Sequence, residues 1–203
     1  MEIEQPNNNE QGRPSPEDAT KPETRPPITP RIYVASLSDY NNGILHGEWL
    51  DADSDPDELI SAIQTILDHS PTGQAEEFAI FDFEGFGPWR LSEYESITMV
   101  TAVAQGMAEH GPAFAHWVDE VEANDSDDLM GFEDAYLGHW ESVEEYAEEL
   151  LTGSGMTIDA LVPDAYSAYV WIDYEGFARD LELSGDITTS EGDGGVYIFE
   201  GHR

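Results

Sequence analysis

Asp51, Asp53 and Asp55 stand at alternate positions in "DADSDPDELISA" (51–62), the spacing with which a calcium loop presents its first three ligands. Such a loop also needs glycine at its sixth position and a bidentate glutamate at its twelfth. Pro56 and Ala62 hold those places, so the segment reads instead as a helix start, with Asp55 as N-cap, Pro56 in the first turn and Glu58 placed for a capping box. The six histidines (46, 69, 110, 116, 139 and 202) show no paired zinc spacing, and there is no cysteine to supply a thiolate. No phosphate loop, dinucleotide glycine motif or nucleophile elbow is present. What the chain has in excess is carboxylate. Any two of its 44 acids could be cast as the pair of a glycosidase, but when every surface offers a pair, the pairing carries no information. The sequence assigns no catalytic residue, no metal ligand and no cofactor; binding without chemistry is the expectation.

The distribution of charge says more than its total. The formal net charge is -37, yet residues 1–31 carry four bases against six acids. From Ile32 to His202 there are 38 acids and two bases, Arg90 and Arg179. A fold so short of cations has little with which to form internal ion pairs, and its carboxylates must face water, counterions or a basic partner. Residues 118–149 form the richest acidic region. Within it, "HWESVEEYAEELL" (139–151) has five glutamates and no lysine or arginine. With Ser142 as N-cap and Glu145 completing Ser-x-x-Glu, a helix over 143–151 gathers Glu144, Glu145, Glu148 and Glu149 into one arc. Val143, Tyr146, Ala147, Leu150 and Leu151 fill the opposite one. Like charges four apart cost a few tenths of a kcal/mol per pair. Four charges over roughly 7.5 Å of helix axis approach the density of duplex DNA, about one per 1.7 Å. Halophilic adaptation, or a generic acidic binder of basic proteins, would leave the same composition.

The elements that must position these residues follow from local signals. Residues 1–30 hold seven of the twelve prolines and almost no large apolar residue, and read as a disordered tail. "RIYVAS" (31–36) and "ILHGEWL" (44–50), joined by "DYNNG", predict a hairpin. A helix follows from Pro56, with Leu59, Ile60, Ile63, Ile66 and Leu67 as its apolar stripe, and "EFAIFDF" (77–83) is a third strand. From Ser92 to about Gly138 the pattern is helical. One helix opens at Ser92-x-x-Glu95, a second carries Phe114, Trp117, Val118 and Val121 on one side, and a shorter one covers "SDDLMGFEDAYLG". Beyond a Gly- and Pro-containing loop, "AYVWIDY" (168–174) and "GVYIFE" (195–200) predict strands around a helix at "EGFARDLEL", with "GDGG" as a strand turn. "FDFEGF" (81–86) is echoed by "IDYEGF" (172–177), by repetition of a strand-to-turn element or by coincidence. The class is α+β: a tail (1–30), an N-terminal α+β domain (31–95), a central helical domain (96–130) and a C-terminal α+β domain (131–203). No secretory signal and no stretch of about 18 apolar residues is visible, so a cytoplasmic protein with no membrane partner is expected.

Three segments, in order, resemble the ArdA-type antirestriction proteins. "RIYVASLSDYNNGILHGEWLDA" (31–52) is similar to that family's opening strand, Asp-Tyr-Asn-x-Gly turn and Gly-x-Trp strand. "EEFAIFDFEGF" (76–86) with "LSEYESI" (91–97) resembles its next segment. "WIDYEGFARDLELSGDI" (171–187) resembles its closing signature, through Asp173-Tyr174-Glu175, Phe177, Arg179-Asp180 and Leu183-Ser184-Gly185. The resemblance implies a DNA mimic carried on mobile elements. It implies an elongated, curved homodimer of three small domains per chain that occupies the DNA-binding groove of the methyltransferase core of type I restriction-modification enzymes. It implies no nucleic acid partner. On that reading the carboxylates standing in for phosphates are expected at Asp119, Glu120, Glu122, Asp125, Asp127, Asp128, Glu133, Asp134, Glu144, Glu145, Glu148 and Glu149.

Overall fold

The computed structural model describes residues 29–123 and 125–201. Residues 1–28, and with them nearly all of the expected tail, lie outside the described residues. Strand β1 (Arg31–Ser36) is central in a three-stranded antiparallel sheet of order β2-β1-β3, with β2 at Gly47–Asp51 and β3 at Phe78–Glu84. Alternation in β1 turns Ile32 and Val34 into the core and leaves Arg31 exposed. The expected hairpin is realised as an antiparallel pair, Tyr33 opposite Trp49. Its connection is longer than a tight turn, because Ser36 caps a short helix, α1 (Leu37–Asn41), by accepting from the Asp39 amide. Helix α2 (Pro56–Asp68) starts as expected: Asp55 Oδ1 accepts from the Asp57 amide at 2.9 Å, and Leu59, Ile63, Ile66 and Leu67 are buried. Its N-cap bond reaches Asp57 instead of closing a box with Glu58, and Ile60 lies on the exposed side.

The Ser92-x-x-Glu95 signal does not open a helix. Ile80 of β3 donates to the Glu93 carbonyl (2.9 Å), which pins this stretch beside the sheet, and Ser92 to Glu95 closes only a turn. Helix α3 therefore begins at Ile97 and runs to His110. Helix α4 (Ala113–Glu120) packs against it with Phe114, Trp117 and Val118 buried. The approach is close: a Cβ on Gly106 of α3 would lie 2.3 Å from the Phe114 ring. "SDDLMGFEDAYLG" divides into a 3-10 turn (Ser126–Gly131), a single helical turn α5 (Phe132–Ala135) and strand β4 (Tyr136–Trp140). That strand was not expected from the sequence.

Helix α6 (Val143–Gly153) is followed by two one-turn helices, α7 (Ile158–Leu161) and α8 (Asp164–Ser167), then α9 (Tyr174–Ser184), β5 (Ile187–Gly192) and β6 (Gly195–Glu200). The strand expected at 168–174 is absent. The segment 168–173 is irregular and exposes Tyr169, Val170 and Trp171, and Asp173 ends it by capping α9 (Gly176 N to Oδ1, 2.9 Å). "FDFEGF" thus lies at the end of a strand and "IDYEGF" at the start of a helix, so the echo is not a repeated element. The second antiparallel sheet has order β4-β6-β5, and Asp193 and Gly194 make the β5–β6 turn with positive φ at both positions (51° and 80°).

One core joins these pieces. Ile32 and Val34 of the first sheet, Val100 and Val103 of α3, Trp117 of α4, Phe132 of α5, and Tyr197 and Phe199 of β6 belong to a single buried cluster. Phe132 is its hub, with ring centroids of His110, Phe114, Trp117, Tyr136 and Phe199 at 4.8 to 6.5 Å. A smaller cluster of Ile187, Val196 and Ile198, flanked by Trp140, Val143, Tyr146 and Leu181, lies behind α6 and α9. Among the described residues no helix is long and apolar enough to cross a membrane.

Candidate functional site

All twelve carboxylates singled out in the sequence are exposed. They fall into two groups held by different elements. Asp119 and Glu120 end α4, and Glu122 follows in a turn where its backbone is left-handed (φ 49°). Asp125 caps the 3-10 turn and pairs with Asp128 in a reciprocal box. Asp125 Oδ1 accepts from the Asp127 amide at 3.1 Å, while Asp128 Oδ2 accepts from the Asp125 amide at 3.2 Å. Glu133 and Asp134 lie in the first turn of α5, where the helix dipole favours negative charge. This first group is backed by the large core through Trp117, Leu129 and Phe132.

The second group is the expected panel on α6. Ser142 Oγ accepts from the Glu145 amide at 3.2 Å, and Glu145 Oε2 accepts from the Glu141 amide at 2.9 Å, so Glu141 is held in the preceding turn. Glu144, Glu145, Glu148 and Glu149 are exposed as predicted. The packing face is thinner than predicted. Ala147 alone is fully buried, Val143, Tyr146 and Leu151 are half-buried, and Leu150 is 42% exposed. The reason is that α6 packs mainly on α9 and β4, whose shared core is small, and Leu150 overhangs its edge.

Around these groups exposed acids far outnumber exposed bases. The ion pairs among the described residues are Arg31–Glu84 (2.5 Å) and His110–Glu109 (3.9 Å). Arg90 and Arg179 are exposed. Missed in the sequence is an open groove of about 670 Å³ beside the α6 N-terminus, lined by Glu141, Glu182, Glu191 and Asp193 among others. It could not be anticipated because the polar strand β5 ("ITTSEG") carries no apolar alternation.

One acid departs from this surface. Asp39 is fully buried. Its Oδ1 accepts from the hydroxyls of Thr72 (2.7 Å) and Ser70 (2.8 Å) and from the Thr72 amide (3.3 Å). Burial opposes ionisation, but hydrogen bonds from Thr72, Ser70 and Ser36 outweigh it and hold the carboxyl below the ordinary aspartate range. It ties α1 to the loop after α2 and offers nothing to a partner. No group of three or more acid or histidine side chains among the described residues is placed to hold a metal ion.

The fold is mixed α+β with two small antiparallel sheets, and its exposed side chains are rich in carboxylate. A family model described as antirestriction protein (ArdA) matches residues 32–195. The chain therefore belongs to the ArdA family of antirestriction proteins, which act as inhibitors and engage restriction enzymes. A search of curated proteins gives no match.

Proposed function

We propose that the chain inhibits type I restriction-modification enzymes by standing in for duplex DNA in the DNA-binding groove of the methyltransferase core, and so protects incoming mobile DNA. The observation that carries this reading is that every one of the twelve carboxylates is exposed on a fold with almost no cations. The carboxylates replace phosphates against the lysines and arginines of the enzyme, and both surfaces release counterions. No bond is made or broken, and no cofactor enters. The chain is read as three segments (31–95, 96–130 and 131–203), acting in the cytoplasm.

The active form is a homodimer on this reading. Leu150, Leu161, Tyr166, Tyr169, Trp171 and Leu183 are all exposed within one stretch of chain, Trp171 at 79% and Tyr169 at 78%. On this reading these exposed aromatic and aliphatic side chains supply the dimer contact. Trp171→Ser is expected to shift the protein toward monomer in sedimentation experiments without unfolding it. A variant still dimeric at the same concentration sinks this interface.

The deciding experiment is competition. A purified type I methyltransferase is titrated with the protein against labelled duplex DNA at several salt concentrations. Displacement of DNA, weakening steeply as salt rises, is expected. Affinity should decline stepwise as the twelve carboxylates are neutralised in groups. Binding that leaves DNA in place, or is indifferent to salt, overturns the mimicry.

A further inference from the structure

We propose that His116, Tyr197 and His139 form an acid-sensitive joint between the central helices and the C-terminal hairpin. With the His116 imidazole neutral the joint is closed, and its protonation loosens it.

The geometry is a cluster of three rings, drawn from three elements and tilted by 35° and 42° at its two contacts. Tyr197 of β6 lies between His116 of α4, at 4.4 Å between centroids, and His139 of β4, at 4.5 Å. Each ring is fixed by a polar contact. His116 Nδ1 meets Ser190 Oγ of β5 at 2.8 Å, His139 Nε2 meets the Gly192 carbonyl at 3.0 Å, and the Tyr197 hydroxyl donates to Asp193 Oδ2 at 2.5 Å. The hairpin is shaped to admit the rings. A Cβ on Gly192 would stand 2.6 Å from the His116 ring, and one on Gly195 would stand 2.9 Å from His139. His116 and Tyr197 are buried, and the His116 contacts with Ser190 and Tyr197 join α4 to β5 and β6.

The charged groups facing His116 act in opposite directions. Desolvation at the α4–hairpin contact disfavours the imidazolium and dominates. Asp193 in the β5–β6 turn and Asp119 on α4 favour it, and His139 of β4 opposes it. The balance sets His116 below the usual histidine range. Burial with the Asp193 bond pushes the Tyr197 hydroxyl well up, so it stays a donor throughout. Glu191 of β5 contributes to the groove shared with Glu141 and Glu182. Because the folded state binds this proton less well than the unfolded chain, the joint is at full strength above about pH 6.5 and weakens as pH falls below it. Carboxylate protonation on so acidic a surface relieves repulsion and acts with the opposite sign, so the joint loosens against the global trend. What moves with α4 is its acidic tip at Asp119 and Glu120.

The test is hydrogen exchange on the full chain between pH 7.5 and 5.5, corrected for intrinsic rates. Amides of α4, β5 and β6 are expected to lose protection by up to about tenfold per pH unit, the limit for one proton, while those of α2 and β1 do not. His116→Phe keeps a ring at this position but cannot titrate, and should remove that regional loss. Protection that is pH-independent in the native chain, or a loss that survives in H116F, overturns the joint. Should H116F fail to fold, ¹⁵N spectra of the native histidines decide the matter: titration of His116 at or above the ordinary histidine value overturns it, and titration below that value upholds it.

Discussion

The two acidic groups look alike in the sequence and are built differently. Asp119 to Asp134 rides on the last turn of α4, a capped 3-10 turn and α5, with Trp117, Leu129 and Phe132 of the main core behind it. Glu144 to Glu149 rides on one helix above a small cluster, with Leu150 already in solvent. In the first group Asp125 and Asp128 bind their own backbone; in the second only Glu145 does. A run of carboxylates can therefore be structure or pure display, and the difference is visible only in what each oxygen accepts.

That contrast can be broken or sharpened by mutation. The largest effect is expected behind the first group, where Phe132→Ala should cost about 3–5 kcal/mol in urea unfolding. Tyr146→Ala, on the half-buried face of α6, should cost about 1–2 kcal/mol; equal losses would mean that the two cores are not distinct in strength. Next comes the cap. Asp125→Ala removes one negative charge from a crowded surface, yet should lower stability by about 1 kcal/mol, because the 3-10 turn loses its N-cap acceptor. A gain in stability there would place Asp125 among the display residues. The smallest effect belongs to Glu148→Gln, expected within about 0.5 kcal/mol of the native protein and on the stabilising side, since it relieves repulsion with Glu144 four residues away. A clear loss would show that the α6 panel also holds structure.

Elements with a local signature were legible in the sequence. β1, α2 with Asp55 and Pro56, β3, α6 with Ser142, and β6 all lie within a residue or two of their expected limits. So does the Asp-Gly turn at 193–194. What failed depends on partners distant in the chain. The aromatic run at 168–173 has strand propensity, yet no sheet edge accepts it, and the Asp173 cap turns the chain into α9. Conversely β4 and β5 are short and mostly polar or glycine-containing, and become strands because β6 lies between them. Ser92-x-x-Glu95 carried the right letters, but the backbone bond from Ile80 to Glu93 took that stretch first. For the candidate surface, exposure of the twelve acids followed from composition, since two bases cannot neutralise 38 acids. Their division into two groups, and the burial of Asp39 beneath Ser70 and Thr72, required contacts that the linear chain does not display.

Gly106 sets a limit on how this protein can change. In an isolated α3 an alanine there would be favoured by about 1 kcal/mol, and any scheme that improves helices one at a time would choose it. Here the added methyl would occupy the volume of the Phe114 ring. α4 would have to slide outward, carrying Asp119 and Glu120 with it. The position thus resists the substitution that helix propensity favours, because the notch is filled by a single phenyl group.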